Sequence, residues 1–452
     1  MADWRKNTVH PLDITGYTAE GMGVARLDGR VVFVPHTIRG ERWQVRLEKV
    51  NKNVAWGRGV ELLEASPERI SPDCSLMGRC GGCQFRHMTY AEELCAKGQR
   101  VADALERVGG VKLDLPPVLG AEEPERYRNK VQFPVSVEKN GLAIGYYRPR
   151  SHAVLDAADC LLQPETVTVL RAAFKQWMED YSVPAYDEEN GKGLIRHLYV
   201  RTNSRGESLC CVVVNGTGVP FGGELIDALR GAHSGLAGVV LNFNTRDTNV
   251  ILGDRYHTLW GRDWLEEELR GLTFRLSVPS FFQINRAQTQ RLYGVALDFA
   301  GLTGAETVLD LYCGIGTISL ALAQKAGRVI GAEIVPQAIE DAKANAARNG
   351  VTNAEFFCGD AGAVAQKLAA EGVRPDVICV DPPRKGLGSE VPAILASMEP
   401  ERIVYVSCDP ATLARDVKRL GELGYRARKG QAVDLFPRTA HVETVVLLTK
   451  EA

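Results

Sequence analysis

The stretch TVLDLYCGIGTISLALA, residues 307–323, decides the fold of this chain. Its apolar first part leads into two glycines, Gly314 and Gly316, and a second apolar run of helical length follows. A buried strand that turns through glycines into a helix lets the backbone approach a ligand closely at the carboxyl end of the strand. The stretch therefore predicts the first strand-helix unit of a ligand-binding α/β sheet.

The same alternation continues on both sides of this stretch. Helical patterns cover residues 286–300 and 336–350, and extended runs follow in RVIGAEIV, AEFFCGD, PDVICVDPP, RIVYVSCDP and VETVVLLTK. Strands that alternate with helices imply a mainly parallel sheet with crossover helices. We predict a Rossmann-like α/β domain over residues 276–452.

The upstream part of the chain has a different character. Short β-like runs and turns over residues 12–64 predict a small β-barrel, which ends where Pro67 and Pro72 break the pattern. A cysteine-rich segment, CSLMGRCGGCQF, follows, and a helical pattern covers residues 90–108. Residues 118–275 read as mixed strands with one helix near 167–181. For a chain of 452 residues we expect three domains, over 1–65, 66–275 and 276–452.

Composition bounds the class of protein. No secretory signal and no run of about 18 apolar residues is present, so we expect a cytoplasmic protein with no membrane partner. Eleven cysteines in such a chain point to thiols, metal binding or catalysis, not to disulfides. The net charge is only -2, but residues 126–150 carry six basic side chains against Glu138. Because Tyr127, Tyr146 and Tyr147 lie among them, this segment predicts contact with single-stranded RNA, or else a solvated sheet face.

Acidic residues at strand ends suggest what the sheet binds. Glu333 ends the second strand, where a carboxylate can accept hydrogen bonds from ribose hydroxyls, as nicotinamide enzymes and methyltransferases both require. Ser319 replaces the third glycine of a dinucleotide fingerprint, which favours a methyltransferase. Asp360 ends the third strand and either accepts from an adenine amino group or caps the next helix.

Two further strand ends carry reactive groups. Asp381 and Cys408 follow neighbouring strands, so both are expected at the ligand-binding edge. Carbon 5 of uracil attacks a methyl sulfonium only after a thiolate has added to carbon 6, and Cys408 is the candidate nucleophile, with Cys313 as a weaker one. Glu443 is the candidate base that removes the proton from carbon 5. Each has an alternative interpretation, Cys408 as a buried apolar residue and Glu443 as a surface glutamate.

These residues lie in motifs that resemble those of the RNA uracil-5-methyltransferases, especially the iron-sulfur branch that modifies 23S ribosomal RNA. The motifs are SFFQIN, DLYCGIG, VDPPRKG, SCDP and HVETV, and the resemblance covers nearly the whole chain. It implies S-adenosylmethionine as methyl donor, Cys408 as nucleophile and Glu443 as base. The cofactor contacts that it implies are Gln283, Tyr312, Glu333 and Asp381. The stretch GMGVARLDGRVVFVPHTIRGE is similar to a TRAM domain, an OB-like barrel that binds RNA.

The same resemblance gives the cysteine-rich segment a role. Cys74, Cys80 and Cys83 are spaced C-x5-C-x2-C, and with Cys160 they match the four ligands of a [4Fe-4S] cluster in that branch. Ligand count alone would also suit a structural zinc ion. The spacing differs from that of enzymes that cleave S-adenosylmethionine to radicals, so we assign the cluster to folding and RNA docking. Cys95 is not expected to be a ligand.

Together these observations predict a class I methyltransferase domain with an N-terminal OB-like barrel and a central α+β iron-sulfur domain. The predicted function is formation of 5-methyluridine in 23S ribosomal RNA by a monomer. Methylation of transfer RNA is the nearest alternative, followed by a noncatalytic RNA-binding protein and a nicotinamide oxidoreductase.

Overall fold

An N-terminal barrel begins the chain in the computed structural model, which describes residues 3–451. Its six-stranded sheet has the order β1-β5-β6-β4-β3-β2, and β1 lies against β3 because the sheet curls on itself. Alternate apolar side chains such as Val32, Val45 and Leu47 point inward, as the period of two in a strand requires. The strands are β1 Val9–Asp13, β2 Gly16–Tyr17, β3 Gly23–Leu27, β4 Arg30–Val34, β5 Arg42–Val50 and β6 Val54–Glu64.

A central unit follows, built on a seven-stranded sheet of order β13-β12-β11-β10-β7-β8-β9. The pattern near residues 167–181 predicts one helix, but a second helix, α3, follows β11. Its three glycines and short length weaken the helical signal, and burial of Leu225 and Leu229 against the sheet stabilises it. The elements are α1 Tyr90–Arg107, β7 Lys130–Glu138, β8 Gly141–Tyr147, β9 Val154–Asp156, α2 Glu165–Asp180, β10 Ile195–Thr202, β11 Ser208–Val214, α3 Gly222–Ala232, β12 Leu236–Phe243, β13 Arg255–Gly261 and the hairpin of β14 Trp264–Leu269 and β15 Leu272–Ser277.

The C-terminal part is the predicted α/β domain. Five parallel strands, β16 to β20, take the order β18-β17-β16-β19-β20, and β22 and β21 extend the sheet antiparallel beyond β20. The chain order reverses between β16 and β19, which opens a crevice at their carboxyl ends. The elements are α4 Arg286–Ala300, β16 Thr307–Leu311, α5 Thr317–Ala323, β17 Arg328–Glu333, α6 Pro336–Arg348, β18 Ala354–Cys358, α7 Ala361–Ala370, β19 Val377–Val380, α8 Val391–Ser397, β20 Arg402–Ser407, α9 Pro410–Gly421, β21 Tyr425–Val433 and β22 Glu443–Lys450.

Two upstream segments pack onto this domain. Helix α1 lies against α9, and its Val101 and Leu105 join the core on that side of the sheet. The β14–β15 hairpin packs against α5 and α6, and its Phe274 joins the core on the other side. Among residues 3–451, no helix combines the length and the apolar character needed to cross a membrane.

Candidate active site

A cavity of about 780 Å³ occupies the crevice at the carboxyl ends of the parallel strands. All seven side chains that the sequence predicts for catalysis and cofactor binding line it, although they come from widely separated parts of the chain. These residues are Gln283, Tyr312, Glu333, Asp360, Asp381, Cys408 and Glu443.

The glycine turn after β16 forms the floor of the cavity. Tyr312 and Gly314 adopt positive φ angles of 67° and 56°, so the chain reverses sharply before α5 begins. A Cβ atom placed on Gly314 would meet no described atom within 4 Å, because it would project into open space. A bound ligand can therefore approach the backbone at Gly314 closely.

Two carboxylates border this turn. Glu333 accepts hydrogen bonds from the backbone N–H of Gly314 (3.3 Å) and of Val335 (3.0 Å), which fixes its side chain at the end of β17. Asp360 is the N-cap of α7 and accepts from the N–H groups of Gly362 and Ala363. Asp360 thus caps a helix and also lines the cavity, so the two interpretations of this residue are compatible.

The residue that departs from the dinucleotide pattern has a structural partner. The Ser319 hydroxyl donates to the carboxyl of Asp310, which is buried under the turn. Burial raises the pKa of Asp310 to about 7. Where a dinucleotide-binding turn has its third glycine, this chain has a hydrogen bond that ties α5 to β16.

Cys408 lies in the turn between β20 and α9. Asp409 caps α9 by accepting from the N–H groups of Ala411 (2.9 Å) and Thr412 (2.9 Å), so the chain leaves the sheet at this point and the thiol borders the cavity. Burial, together with the charges of Glu443 and Asp381, raises the pKa of Cys408 to about 11, although the charge of Arg384 acts to lower it. The rival thiol, Cys313, is buried and is not among the described residues that line the cavity.

Glu443 reaches the cavity through strand register. In the antiparallel pair of β20 and β22, Ser407 lies opposite Thr444, and Cys408 and Glu443 are the next positions along the two segments. Only 3% of Glu443 is exposed, which excludes the surface position that its sequence context would allow. Burial raises its pKa to about 8. Burial likewise raises the pKa of Asp381 to about 7.

The cavity also contains residues to which the sequence patterns assign no role. Arg384, in the VDPPRKG motif, approaches His441 of the HVETV motif, with 3.5 Å between Nη2 and Nε2. Burial and the charge of Arg384 lower the pKa of His441 to about 4. Phe281, in SFFQIN, also lines the cavity and is 64% exposed. Their positions in the sequence could have indicated a role in the site, since all three residues lie inside motifs that resemble those of the family.

The four predicted cluster ligands share a second cavity, of about 300 Å³. The fold brings Cys160, which precedes α2, to the loop that carries Cys74, Cys80 and Cys83. Burial raises the pKa of Cys83 to about 11. Within residues 3–451, no group of three or more His, Cys, Asp or Glu side chains is arranged to hold a metal ion. Cys95 is exposed on α1, away from this cavity.

The basic segment, residues 126–150, only partly matches its predicted role as a stacking platform. Tyr127 donates to the carbonyl of Pro437 (3.0 Å), and Tyr146 packs on Phe133 with 5.5 Å between ring centroids, so neither ring lies free on the surface. Tyr147 is exposed. The exposed basic side chains are Lys139, Arg148 and Arg150.

Comparisons with known proteins identify the family of the chain. A family model described as tRNA (Uracil-5-)-methyltransferase matches residues 242–451, and a TRAM domain model matches residues 3–60. An uncharacterized RNA methyltransferase of Clostridium tetani is 44% identical over 98% of this chain and 97% of the relative. Another, from Clostridium acetobutylicum, is 42% identical over 99% and 98%.

A solved structure gives the same answer for the fold. The chain is similar to a Pyrococcus abyssi tRNA (uracil-54, C5)-methyltransferase in complex with S-adenosyl-L-homocysteine, with a TM-score of 0.77 and 26% identity. The match covers 97% of this chain and 100% of that one. With an N-terminal TRAM domain, a class I methyltransferase sheet and relatives of this identity over its whole length, the chain belongs to the S-adenosylmethionine-dependent RNA uracil-5-methyltransferase family.

Proposed function

We propose that this chain forms 5-methyluridine in 23S ribosomal RNA, with Cys408 as nucleophile and Glu443 as base. The observation that carries the proposal is the register of β20 and β22, which pairs Ser407 with Thr444, so that the thiol and the buried carboxyl that come next both line one cavity. A uracil ring between them would meet the thiol at carbon 6 and the carboxylate at carbon 5. The reaction needs both groups, the thiolate for addition to carbon 6 and the carboxylate for proton removal from carbon 5.

The residues of the cavity suit each step. The Cys408 thiolate adds to carbon 6, and the displaced electron pair makes carbon 5 nucleophilic while charge gathers on the exocyclic oxygen at carbon 4. S-adenosylmethionine, when bound, supplies the methyl group that carbon 5 takes. Glu443 then removes the proton from carbon 5, the double bond re-forms, and the bond from carbon 6 to sulfur breaks. Arg384 stabilises the thiolate, because its charge lowers the pKa of Cys408 against the larger effect of burial.

The other end of the cavity fits a nucleoside donor. Glu333 is held by two backbone N–H groups, and each of its oxygens can still accept from a ribose hydroxyl. Asp360 lines the same cavity and is the proposed acceptor for the adenine amino group, and Tyr312, Gln283 and Asp381 complete the contacts that the family resemblance implies. The open space above Gly314 lets this ligand lie against the backbone.

For the second cavity we propose an iron-sulfur cluster and not zinc. One zinc ion needs four thiolates about 2.3 Å from a single point. In a [4Fe-4S] cluster each thiolate binds a different iron, so the thiolates need not converge on one point, and Cys74, Cys80, Cys83 and Cys160 all line this cavity. Arg86, Arg128 and Lys130 line the same cavity and can offset the negative charge of four thiolates. We assign this site to folding and RNA docking.

A direct test of the mechanism is Cys408→Ala. The variant should transfer no methyl group from labelled S-adenosylmethionine to RNA and should form no covalent adduct with it. Cys313→Ala is the matched control, because it removes the rival thiol from the same domain and should retain methyl transfer. Methyl transfer by Cys408→Ala would refute the covalent mechanism, and loss of adduct in Cys313→Ala alone would move the nucleophile there.

The choice of RNA needs a separate experiment. The resemblance to the iron-sulfur branch supports 23S ribosomal RNA, whereas the matching family model and the Pyrococcus abyssi neighbour carry the name of transfer RNA enzymes. Unmodified transcripts of both RNAs should be incubated with the enzyme and labelled donor, and 5-methyluridine mapped by mass spectrometry. We expect the modification in 23S ribosomal RNA. Modification of transfer RNA alone would establish the second function instead.

A further inference from the structure

The loop between β21 and β22, residues 434–442, carries part of the active site. Its Phe436 and His441 line the catalytic cavity, and Glu443 follows it directly. We call residues 434–442 the catalytic loop. The position of the proposed base therefore depends on what holds this loop.

Helix α1 holds one end of the catalytic loop through a buried ion cluster. Lys97 donates to Asp434 (2.6 Å), to Glu93 (2.7 Å) and to the carbonyl of Phe436 (3.2 Å). Tyr90 donates to the other oxygen of Asp434 (2.7 Å). Lys97, Glu93 and Asp434 are at most 1% exposed, so each needs the others to offset the cost of burial.

The segment that follows Cys83 contacts the centre of the catalytic loop. The backbone N–H groups of Gln84 (3.0 Å) and Phe85 (3.1 Å) both donate to the carbonyl of Arg438. The side chain of Gln84 also accepts from the N–H of Ala440 (3.2 Å). Gln84 directly follows Cys83, which lines the second cavity. One residue thus separates a predicted cluster ligand from the backbone of the catalytic loop.

A side-chain bridge runs beside these backbone contacts. Glu125 accepts from Arg438 Nε (2.9 Å) with one oxygen and from Arg86 Nη2 (2.6 Å) with the other. Arg86 is buried and lines the cysteine cavity together with Cys83. Arg438 also pairs with Glu93 of the ion cluster, at 3.8 Å. Glu125 therefore joins an arginine of the cysteine site to an arginine of the catalytic loop.

We propose that Glu125 and Arg438 are positioning residues. Through them the cysteine site, which is the second cavity with Cys74, Cys80, Cys83 and Cys160, holds the catalytic loop in its active arrangement. Occupancy of the cysteine site orders the chain around Cys83, and Gln84 and the bridge of Arg86, Glu125 and Arg438 transmit that order to the loop. The proposal deepens the proposed function, since it rests on the catalytic role of the cavity that the loop borders. It gives the proposed iron-sulfur cluster a specific role, which is to keep the catalytic loop in the arrangement that positions Glu443.

The test uses the full-length protein with its cluster and the isosteric variant Glu125→Gln. The neutral side chain in Glu125→Gln cannot form charge-assisted hydrogen bonds with the two arginines. Backbone hydrogen exchange within residues 434–442 should therefore become about tenfold faster, as expected for loss of one such bond. The matched control is Glu122→Gln. Glu122 lies on the same segment and pairs with Arg291 at the surface, so exchange in the catalytic loop should not change.

Kinetics give a second readout. In Glu125→Gln we expect kcat to fall about tenfold while KM for S-adenosylmethionine changes less than about twofold, because Glu333 and Gly314 lie on other elements. Arg438→Lys keeps a charge and the backbone carbonyl, and it should speed exchange in the loop by a smaller factor. Exchange in residues 434–442 that stays at the wild-type rate in both variants would overturn the proposal.

The coupling must also act from the cysteine side. Cys83→Ser, which removes a predicted cluster ligand, should speed amide exchange in residues 434–442 while exchange in β16 stays unchanged. Unchanged exchange in the catalytic loop would overturn the coupling. The amide-exchange measurements do not depend on methyl transfer, so they stand apart from Cys408→Ala. Active Cys408→Ala would refute the proposed chemistry, whereas loss of coupling would refute only the proposed link between the two sites.

Discussion

Replacing Glu443 by glutamine should have opposite effects on the two halves of the proposed reaction. The amide keeps the shape of the side chain but can neither remove a proton nor carry a charge. Proton removal from carbon 5 should stop, so a covalent enzyme-RNA adduct should accumulate after methyl transfer. Addition of the thiol should at the same time become easier at high pH, because the charge of Glu443 raises the pKa of Cys408 in the wild-type protein.

The size of both effects follows from burial. With a pKa of about 8, about one tenth of Glu443 is ionised at pH 7 and about nine tenths at pH 9. Wild-type turnover limited by proton removal should therefore rise about tenfold per pH unit and level off above pH 8. The charge of a nearby carboxylate raises the pKa of a thiol by about one unit or more. Cys408 in Glu443→Gln should therefore be about tenfold more reactive at pH 9. At pH 6, where Glu443 is protonated, the two proteins should react alike.

Two assays measure these effects. Adduct is detected as RNA-linked protein that survives denaturing electrophoresis, and thiol reactivity as the rate of Cys408 alkylation by iodoacetamide from pH 6 to pH 9. Glu401→Gln is the control, since it removes an exposed carboxylate before the opposite end of β20. Normal turnover by Glu443→Gln, or alkylation rates that match the wild type at pH 9, would refute the reasoning about this residue.

Three further predictions concern stability and ligand binding. Lys97→Met should lower the free energy of unfolding in urea by about 3 to 5 kcal/mol, because it leaves Glu93 and Asp434 buried without their cation. A loss below about 1 kcal/mol would show that this buried ion cluster does not stabilise the fold. Gly314→Ala adds a Cβ to a residue at φ 56°, and calorimetry should show at least tenfold weaker binding of S-adenosylmethionine; unchanged affinity would mean that the ligand lies elsewhere. Cys160→Ser should lower bound iron and acid-labile sulfide in anaerobically purified protein, and iron content equal to wild type would remove Cys160 from the ligand set.

Local sequence was enough for elements whose side chains alternate with a clear period. The helix predicted over residues 286–300 from its pattern has the observed bounds, and in the structure Asn285 caps it and Gly301 ends it. The α/β class followed from the alternation around Gly314 and Gly316. Helix α3 was missed because its propensity is weak and its stability comes from packing against the central sheet. Stacking by Tyr127 and Tyr146 was an incorrect expectation, since local charge does not reveal which way a ring points.

The amino-acid sequence by itself determined which chemical groups are present and where strands end, and so it nominated Cys408 and Asp381 for one edge of a sheet. It could not place Glu443, which reaches the cavity because β22 inserts antiparallel beside β20 and pairs Thr444 with Ser407, the neighbours of Glu443 and Cys408. Nor could it show that Cys160 lies beside Cys83, or that Lys97 and Glu125 fasten the catalytic loop. Strand order, register and burial are long-range properties, and they set distances and pKa values that no local pattern of residues contains.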